Sequence, residues 1–300
     1  MNYKSIFRSR AMRFRILKLL SFVPDSIMLR LQYRIKLGFW PNFKHPKRFT
    51  EKLQLYKMYY RNPEMARCVD KYEVRGYLEE RGFGHLLNKL YGVYNRAEEI
   101  DFSTLPEKFV IKTTDGSGGN NILICRNKSQ LDIKSAVTEI NSWLDVKSVN
   151  AGREWAYTGI KKSRIIVEEF LENETNPETG PEDYKFFCFN GEPKFIYLVH
   201  NRKKGEKAHL GIYDMAFIKQ PIYRCDEHRS EQVKSVPKNY DLMINIARKL
   251  SSGFPHIRVD LYNIDGDIRF GELTFYDGSG YFSYDPDSFD FDVGEWFTEY

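Results

Sequence analysis

Residues 258–275 read R-V-D-L-Y-N-I-D-G-D-I-R-F-G-E-L-T-F. Apolar and polar residues alternate on either side of Asp265-Gly266, and alternation with a period of two about an Asp-Gly pair is the pattern of a β-hairpin. The loop length sets where the acids point. A two-residue loop places Asp260 and Glu272 on opposite faces. A three-residue loop, with Gly266 left-handed in a bulge, sets them on one face as diagonal neighbours, with Arg258 opposite Glu272. In that second geometry a cation and two carboxylates share one face, with Leu261 and Leu273 on the other, which suits a hard cation and phosphate. The competing reading is a surface ion pair on an amphipathic hairpin, and the hairpin alone does not choose between them.

Working back along the chain, Phe109-Val-Ile-Lys112 reads as a strand that runs into Thr113-Thr-Asp-Gly-Ser-Gly-Gly-Asn-Asn121 and then another strand. Such a glycine-rich loop exposes backbone N–H groups, and a lysine on the preceding strand can reach a phosphate oxygen; a plain connecting loop is the alternative. It is neither G-x-x-x-x-G-K-[ST] nor G-x-G-x-x-G. Ile165-Ile-Val-Glu-Glu-Phe-Leu171 reads as a buried strand ending in two acids, whose exit can face an adenine edge. Further strands are expected at 184–189, 194–199, 258–264 and 268–275, and helices at 130–145 and 239–251. Residues 70–81, DKYEVRGYLEER, read as a helix capped by Asp70 and ended by Gly82. After a turn-rich stretch from Phe39 to Phe49, Thr50 opens another helical pattern with Lys52 and Lys57 outward. Strands outnumber helices and hairpins dominate, so the expected fold class is α+β around largely antiparallel sheets.

Composition narrows the class. The chain has 300 residues, 42% hydrophobic and 29% charged, enough to bury a sizeable core. No apolar run approaches the roughly 20 residues of a membrane-spanning helix, and the start lacks a signal-peptide pattern, which points to the cytoplasm. Cys68, Cys125, Cys188 and Cys225 are widely spaced and read as reduced thiols. Residues 1–50 carry twelve Lys or Arg against one acid, whereas the rest carries 34 against 40. Lys4, Arg8, Arg10, Arg13, Arg15 and Lys18, interleaved with apolar residues through Leu20, fit a basic amphipathic helix. It either contacts anionic lipid at the inner face of the plasma membrane or faces water while docked on the body. No nucleic-acid module is readable. The six histidines show no metal spacing, leaving His256 as the sole candidate for substrate contact. Tyr276, Tyr281, Phe282 and Tyr284 either line a sugar site or belong to the core.

The order of these motifs, a helix with Asp70-Lys71, a strand-lysine-glycine loop, the I-V-E-E-F-L strand end and the R-V-D…G-E-L-T hairpin, resembles the ATP-grasp superfamily across roughly residues 70–290. More closely, DKYEVRGYL, LPEKFVIKTTDGSGG, EDYKFFCFNGEPK and GELTFYDGSG look like its TupA-like branch, associated with teichuronopeptide biosynthesis. The resemblance implies two α+β subdomains clasping ATP, a lid subdomain at 70–166 and a metal-bearing one at 167–300, behind a basic helical segment at 1–69. By motif matching it implies that Lys112 contacts ATP phosphates and that Gly116, Ser117, Gly118 and Gly119 form the lid loop. Glu168, with Glu169 beside it, would face adenine, and Phe170 and Leu171 would line the base. Asp183 falls near the ribose acid and Lys185 is a further phosphate contact, both after an insertion at 172–182. Asp260 and Glu272 match the carboxylates for one or two magnesium ions. Arg258 and Gly278 fall where the acyl transition state is stabilised.

The chain departs from the pattern in three places. Thr274 replaces the usual Asn, a poorer metal ligand; Arg75, with Lys71 one turn earlier, replaces an early ATP lysine; and the leading α/β domain is reduced to the short basic segment. The implied activity is an ATP- and magnesium-dependent carboxylate–amine or carboxylate–thiol ligase working through an acyl phosphate, or stopping at a phosphorylated species. The closer family suggests a uronic acid or glutamyl carboxylate on a surface polysaccharide and an amine acceptor. Two other classes compete: a glycosyltransferase using Asp265-x-Asp267, and a non-catalytic ATP-binding adaptor.

Overall fold

The computed structural model describes residues 16–17, 19–116, 121–145, 152–173, 177–203 and 206–300. The basic stretch from Lys4 to Arg15 with Lys18, and Ser117, Gly118 and Gly119, therefore lie outside the described residues. Helices α1 (Asp25–Leu37), α2 (Phe49–Tyr59), α3 (Glu64–Val69) and α4 (Val74–Glu80) lead the chain. Strands β1 (Leu90–Tyr94), β2 (Phe109–Thr113), β3 (Ile122–Cys125) and β4 (Ile165–Glu169) then form an antiparallel sheet in the order β1-β4-β2-β3. Helix α5 (Ile133–Asp145) covers it, with Ala136 and Ile140 packed on Phe109, Ile111, Ile165 and Val167. A short helix, α6 (Trp155–Thr158), precedes β4.

The second sheet is built from β5 (Asp183–Phe189), β6 (Glu192–His200), β7 (His209–Asp214), β9 (His228–Arg229), β10 (His256–Ile264) and β11 (Asp267–Thr274), in the order β11-β10-β5-β6-β7-β9. Its pairings are antiparallel except β7 with β9. Strands β8 (Tyr223–Arg224) and β12 (Tyr284–Asp285) pair separately. Helix α7 (Tyr240–Ser251) buries Tyr240, Met243, Ile246, Ala247 and Leu250, an i, i+3, i+4 stripe, against one face of this sheet. Helix α2 and helix α8 (Ser288–Trp296) pack with each other in the same core. The α+β class and the antiparallel sheets match the expectation.

The expected boundary at 166/167 falls inside β4. Residues of α3 and α4, among them Cys68, Val74, Tyr77 and Leu78, share the core of the large sheet. Asp70 does cap the segment that follows: its Oδ1 accepts from the backbone N–H of Tyr72 (2.8 Å) and Glu73 (2.9 Å) before regular helix begins at Val74. The turn-rich 39–49 stretch is held by Glu51, whose carboxylate accepts from the backbone N–H groups of Asn42, Lys47 and Arg48.

Several expectations are overturned. Of the two loop lengths left open, the hairpin has two residues: Ile264 pairs with Asp267, and Asp265 and Gly266 both take positive φ (52° and 102°), the type I′ geometry, for which the acids were expected on opposite faces. Asp260 and Glu272 nevertheless share a face. An extra residue, Gly271, is inserted where the register shifts, so Asp260 lies directly opposite Glu272 and Arg258 opposite Thr274. A Cβ at Gly271 would meet the carbonyl oxygen of Asp260 at 3.0 Å, which accounts for the glycine.

Lys52 and Lys57 point inward. Lys52 Nζ donates to the carbonyls of Gly294 (2.7 Å) and Phe297 (2.9 Å), ending α8, and Lys57 has no exposed surface. His256 is not positioned for substrate. It is buried among the rings of Phe49, Phe187, Phe189 and Phe297, and burial depresses its basicity to about 3. Tyr276, Phe282 and Tyr284 are core residues. His200, His209 and His228 stand side by side across β6, β7 and β9 with centroids 5.6 and 5.9 Å apart. Near-parallel stacked rings do not converge their lone pairs, and no metal cluster of three or more His, Cys, Asp or Glu occurs among the described residues.

Candidate functional site

Strand β11 forms one edge of the large sheet, and a cleft opens between it, helices α3 and α4, and the end of β4. Val69, Val74, Leu87, Phe270 and Leu273 give it an apolar wall; Lys71, Arg75, Lys112, Glu168 and Glu272 supply charge. Five residues singled out from sequence thus converge on one cavity from four separate elements. Lys112, on β2, pairs with Glu168 on the neighbouring β4 (Nζ–Oε2 2.6 Å), and Arg75 on α4 reaches the other oxygen of Glu168 at 3.3 Å and the Asn88 carbonyl at 3.1 Å. The side-chain oxygen of Asn88 is buried in this cleft without a partner among the described residues. Lys71 donates to the carbonyl of Gly116, tying α4's leading turn to the start of the glycine loop, and its enclosure lowers its basicity.

Beyond Glu272 lies a buried charge network on the sheet face. Arg258 grips Asp260 through Nε and Nη2, both 2.7 Å, and its Nη2 also donates to Glu272 (2.8 Å) and Thr274 (3.1 Å). Its Nη1 bonds Asp277. Lys185, across the strand pair from Asp260, bonds Asp260 and approaches Asp183 Oδ2 at 2.7 Å, and Arg202 reaches the same Asp183 oxygen at 3.1 Å. Asp183 Oδ1 is buried and unpartnered among the described residues.

Environment separates the two facing carboxylates. Burial pushes Asp260 up to about 6, although Arg258 and Lys185 oppose it. Glu272 keeps 43% of its side chain exposed, and against the upward push of enclosure Arg258, then Lys185 and Lys71, hold it at about 2. Divergent acidities in one pair of acids are characteristic of sites that handle charge.

Magnesium prefers hard oxygen ligands and is commonly held by one or two carboxylates plus phosphate and water oxygens. Glu272 fits that chemistry, whereas Asp260 is buried with both oxygens bonded by Arg258 and Lys185. Glu272 Oε1 is engaged by Arg258 and Thr274 (3.1 Å), which leaves Oε2 without a partner among the described residues and open to the cleft. Asp260 is ringed by Arg258 and Lys185, and Thr274 spends its hydroxyl proton on Glu272.

The remaining residues distribute as follows. Glu169 turns toward Arg269 (3.9 Å), and Phe170 lies under Arg126 (4.9 Å); neither Phe170 nor Leu171 is among the residues lining the cleft. Gly278 sits in a turn, 277–280, where Gly278, Ser279 and Gly280 are all left-handed (φ 49°, 57° and 68°). Asp277, at its head, is clamped by Arg224 (2.8 Å) and Arg258 and held below the ordinary carboxylate range by those guanidiniums despite burial. Lys57 closes the other side, donating to Ser279 O (2.5 Å), Ser279 Oγ (2.9 Å) and Gln54 Oε1 (3.1 Å).

Asp277, Arg224 and Arg202 were not among the residues singled out from sequence, and Lys57 was read only as an outward-facing helix residue. Asp277 alone carried a signal, its position in the quoted GELTFYDGSG run. The Asp265-x-Asp267 pair stands at the hairpin tip, with 80% and 59% of the side chains exposed, paired to Lys238 and Arg269.

A family model described as TupA-like ATPgrasp matches residues 51–298. No curated protein matches the sequence. Among solved structures, a D-alanine–D-alanine ligase from Bacillus anthracis is 16% identical, covers 69% of this chain and 57% of its own, and superposes with a TM-score of 0.41. D-alanyl-alanine synthetase A from Vibrio cholerae gives 11%, 71%, 57% and 0.44. An ADP complex of N5-carboxyaminoimidazole synthetase from Staphylococcus aureus gives 13%, 69%, 44% and 0.38. The chain spans little more than half the length of these proteins or less.

Proposed function

The chain belongs to the TupA-like ATP-grasp family, and from that premise we propose that it is a ligase that uses ATP and magnesium to activate a carboxylate as an acyl phosphate and transfers the acyl group to an amine. The observation that carries the reading is the convergence of Lys71, Arg75, Lys112 and Glu272 on one apolar-walled cleft. A cleft lined by apolar residues together with cations and a carboxylate has the chemistry that suits a base and its phosphates. The orphaned Asn88 oxygen offers a polar contact for the base edge.

In this reading Lys112, Lys71 and Arg75 neutralise phosphate charge, and Glu168 holds Lys112 and Arg75 in place before nucleotide enters. Glu272 would hold magnesium, and Asp260 would join it only in exchange for its bonds to Lys185 and Arg258; the ion would supply charge neutralisation on the phosphate oxygens. A substrate carboxylate oxygen attacks the γ-phosphorus as ADP departs; the amine then attacks the acyl carbon and phosphate leaves, the amine losing a proton. Arg258 is already bonded to Asp260, Asp277, Glu272 and Thr274, so its part in the second step would be to exchange the 3.1 Å Thr274 contact for the developing oxyanion, beside the Gly278 N–H. The closer family supports a uronic acid or glutamyl carboxylate of a surface polysaccharide or its precursor as substrate, handled in the cytoplasm.

The test is calorimetric titration of ATP with and without Mg²⁺ on wild type, Lys112→Ala and Glu272→Gln. Magnesium-dependent binding that both variants lose is the expected result. Absence of ATP binding, with a UDP-sugar bound instead, would replace this reading with a glycosyltransferase.

A further inference from the structure

Of the fifteen large apolar side chains exposed among the described residues, seven fall between Leu19 and Trp40. Scattered single exposures are ordinary, but a concentrated patch marks an interaction surface. Here the pattern has helical order. Met28, Leu29, Gln32 and Tyr33 turn α1 onto the body. On the outer side Ile27, Leu31 and Ile35, spaced i, i+4, i+8, are 50%, 42% and 51% exposed. Beside that stripe Arg30 and Arg34, also i, i+4, are exposed, and Phe22 (82%) and Trp40 (60%) extend the apolar line past both helix ends.

The charge on this side is uncompensated. Arg30, Arg34 and Lys44 have no acidic partner among the described residues, and Asp25, the one acid in residues 1–50, is bound to Arg153 at 2.7 Å. Arg30 lies over the Phe43 ring at 4.6 Å, and with Lys44 and Ser26 it lines a cavity between α1 and α2. An apolar stripe bordered by arginines, with aromatics at its ends, is the make-up of a helix lying in the headgroup layer of a bilayer. A second copy packed through the same face would set arginine against arginine, which anionic lipid does not.

We propose that the outer face of α1, with Ile27, Leu31 and Ile35 inserted and Arg30 and Arg34 on headgroups, docks the protein on an anionic lipid bilayer. The cavity beside Arg30 and Lys44 receives a headgroup phosphate. This goes beyond the ligase reading and does not depend on it: the surface acts as an anchor whatever the cleft catalyses.

The test uses the full chain with vesicles of phosphatidylcholine alone or with about one third phosphatidylglycerol, measured by co-sedimentation; each arginine near such a surface is worth roughly fivefold in partitioning. Wild type should bind the anionic vesicles and not the neutral ones. Arg30→Gln/Arg34→Gln should weaken binding about 25-fold, and Ile27→Ser/Leu31→Ser/Ile35→Ser should abolish it, all with unchanged ATP affinity and unfolding midpoint. Three results would overturn the proposal: no binding to anionic vesicles, binding retained in both variants, or partitioning unchanged while the apolar variant instead abolishes a concentration-dependent dimer seen by analytical ultracentrifugation.

Discussion

Lys57 offers a sharp test of how burial and charge are balanced around the 277–280 turn. Its ammonium has no exposed surface, and burial lowers its pKa from 10.5 to about 7, with Glu154 acting in the opposite sense and Lys36 reinforcing the drop. A base whose folded-state value lies below its unfolded value sheds its proton earlier in the native protein. Below pH 7 both states are charged, and the cost of enclosing the cation is fully present. Between pH 7 and 10.5 the unfolded chain binds the extra proton, so stability rises with pH. With a pKa unit worth about 1.4 kcal/mol, the wild type should gain about 2.3 kcal/mol from this group between pH 7 and pH 9. Lys57→Met keeps the volume and lacks the titration. Guanidinium unfolding of both proteins at pH 6, 7, 8 and 9 isolates the effect as the change in their difference, since every other group is common to both. Wild type should gain on the variant by about that 2.3 kcal/mol across the upper two units and by little below pH 7. Parallel curves throughout would refute the reasoning, and would mean that the contacts to Ser279 and Gln54 keep the ammonium charged despite burial.

Three further outcomes follow from other sites. Gly294→Ala would put a Cβ 2.0 Å from the Lys47 carbonyl oxygen where α8 crosses the loop before α2, so a loss of about 3 kcal/mol or more is expected in denaturant midpoint. Gly278→Ala adds a Cβ 2.7 Å from Arg224 Nη2 and 2.9 Å from the Phe282 ring at a residue with φ 49°; a cost of about 1–3 kcal/mol is expected, with turnover falling more than ATP affinity because the turn lies away from the cleft wall. Lys185→Met leaves Asp183 and Asp260 buried side by side without their shared cation, which should cost about 3–5 kcal/mol at pH 8. Asp260 already titrates near 6, above its unfolded value, so the variant should recover stability as pH falls toward 5 and a carboxyl takes up a proton; a deficit independent of pH would contradict this.

Period-two alternation made β10 and β11 legible, and short apolar runs ending in charge did the same for β2 and β4; these strands carry Lys112, Glu168 and Glu272 to the cleft, with Asp260 facing Glu272 behind it. The hairpin shows where such reading stops. Alternation and an Asp-Gly turn leave the loop length open, and the acids share a face because of Gly271, a bulge at the fifth residue of β11 that a regular pattern does not announce. Lys52 and Lys57 failed for a different reason. Helical periodicity marks them as polar and therefore outward, but their partners are carbonyl groups of α8 and of the 277–280 turn, more than two hundred residues away. Arg224 and Arg202 were invisible on the same grounds, since a lone arginine outside any sequence pattern says nothing about the buried acid it will meet.

The charges in and behind the cleft are arranged in mutually compensating groups. Glu168 engages Lys112 and Arg75; Asp260, Asp277 and Glu272 engage Arg258; Asp183 engages Lys185 and Arg202. Unpaired, any of these enclosed cations would cost several kcal/mol, so the pairs keep the fold stable without a ligand. They also set a condition on binding, because a nucleotide phosphate reaches Lys112 or Arg75 only by taking them from Glu168. The same exchange makes affinity sensitive to Glu168 in an unexpected direction. Neutralising it in Glu168→Gln frees both cations, so free phosphate groups should bind more tightly to the variant, while a nucleotide whose base needs Arg75 and Lys112 held in register should gain less. Comparing tripolyphosphate with ATP by calorimetry separates these effects, and equal changes for both would show that Glu168 acts on charge alone.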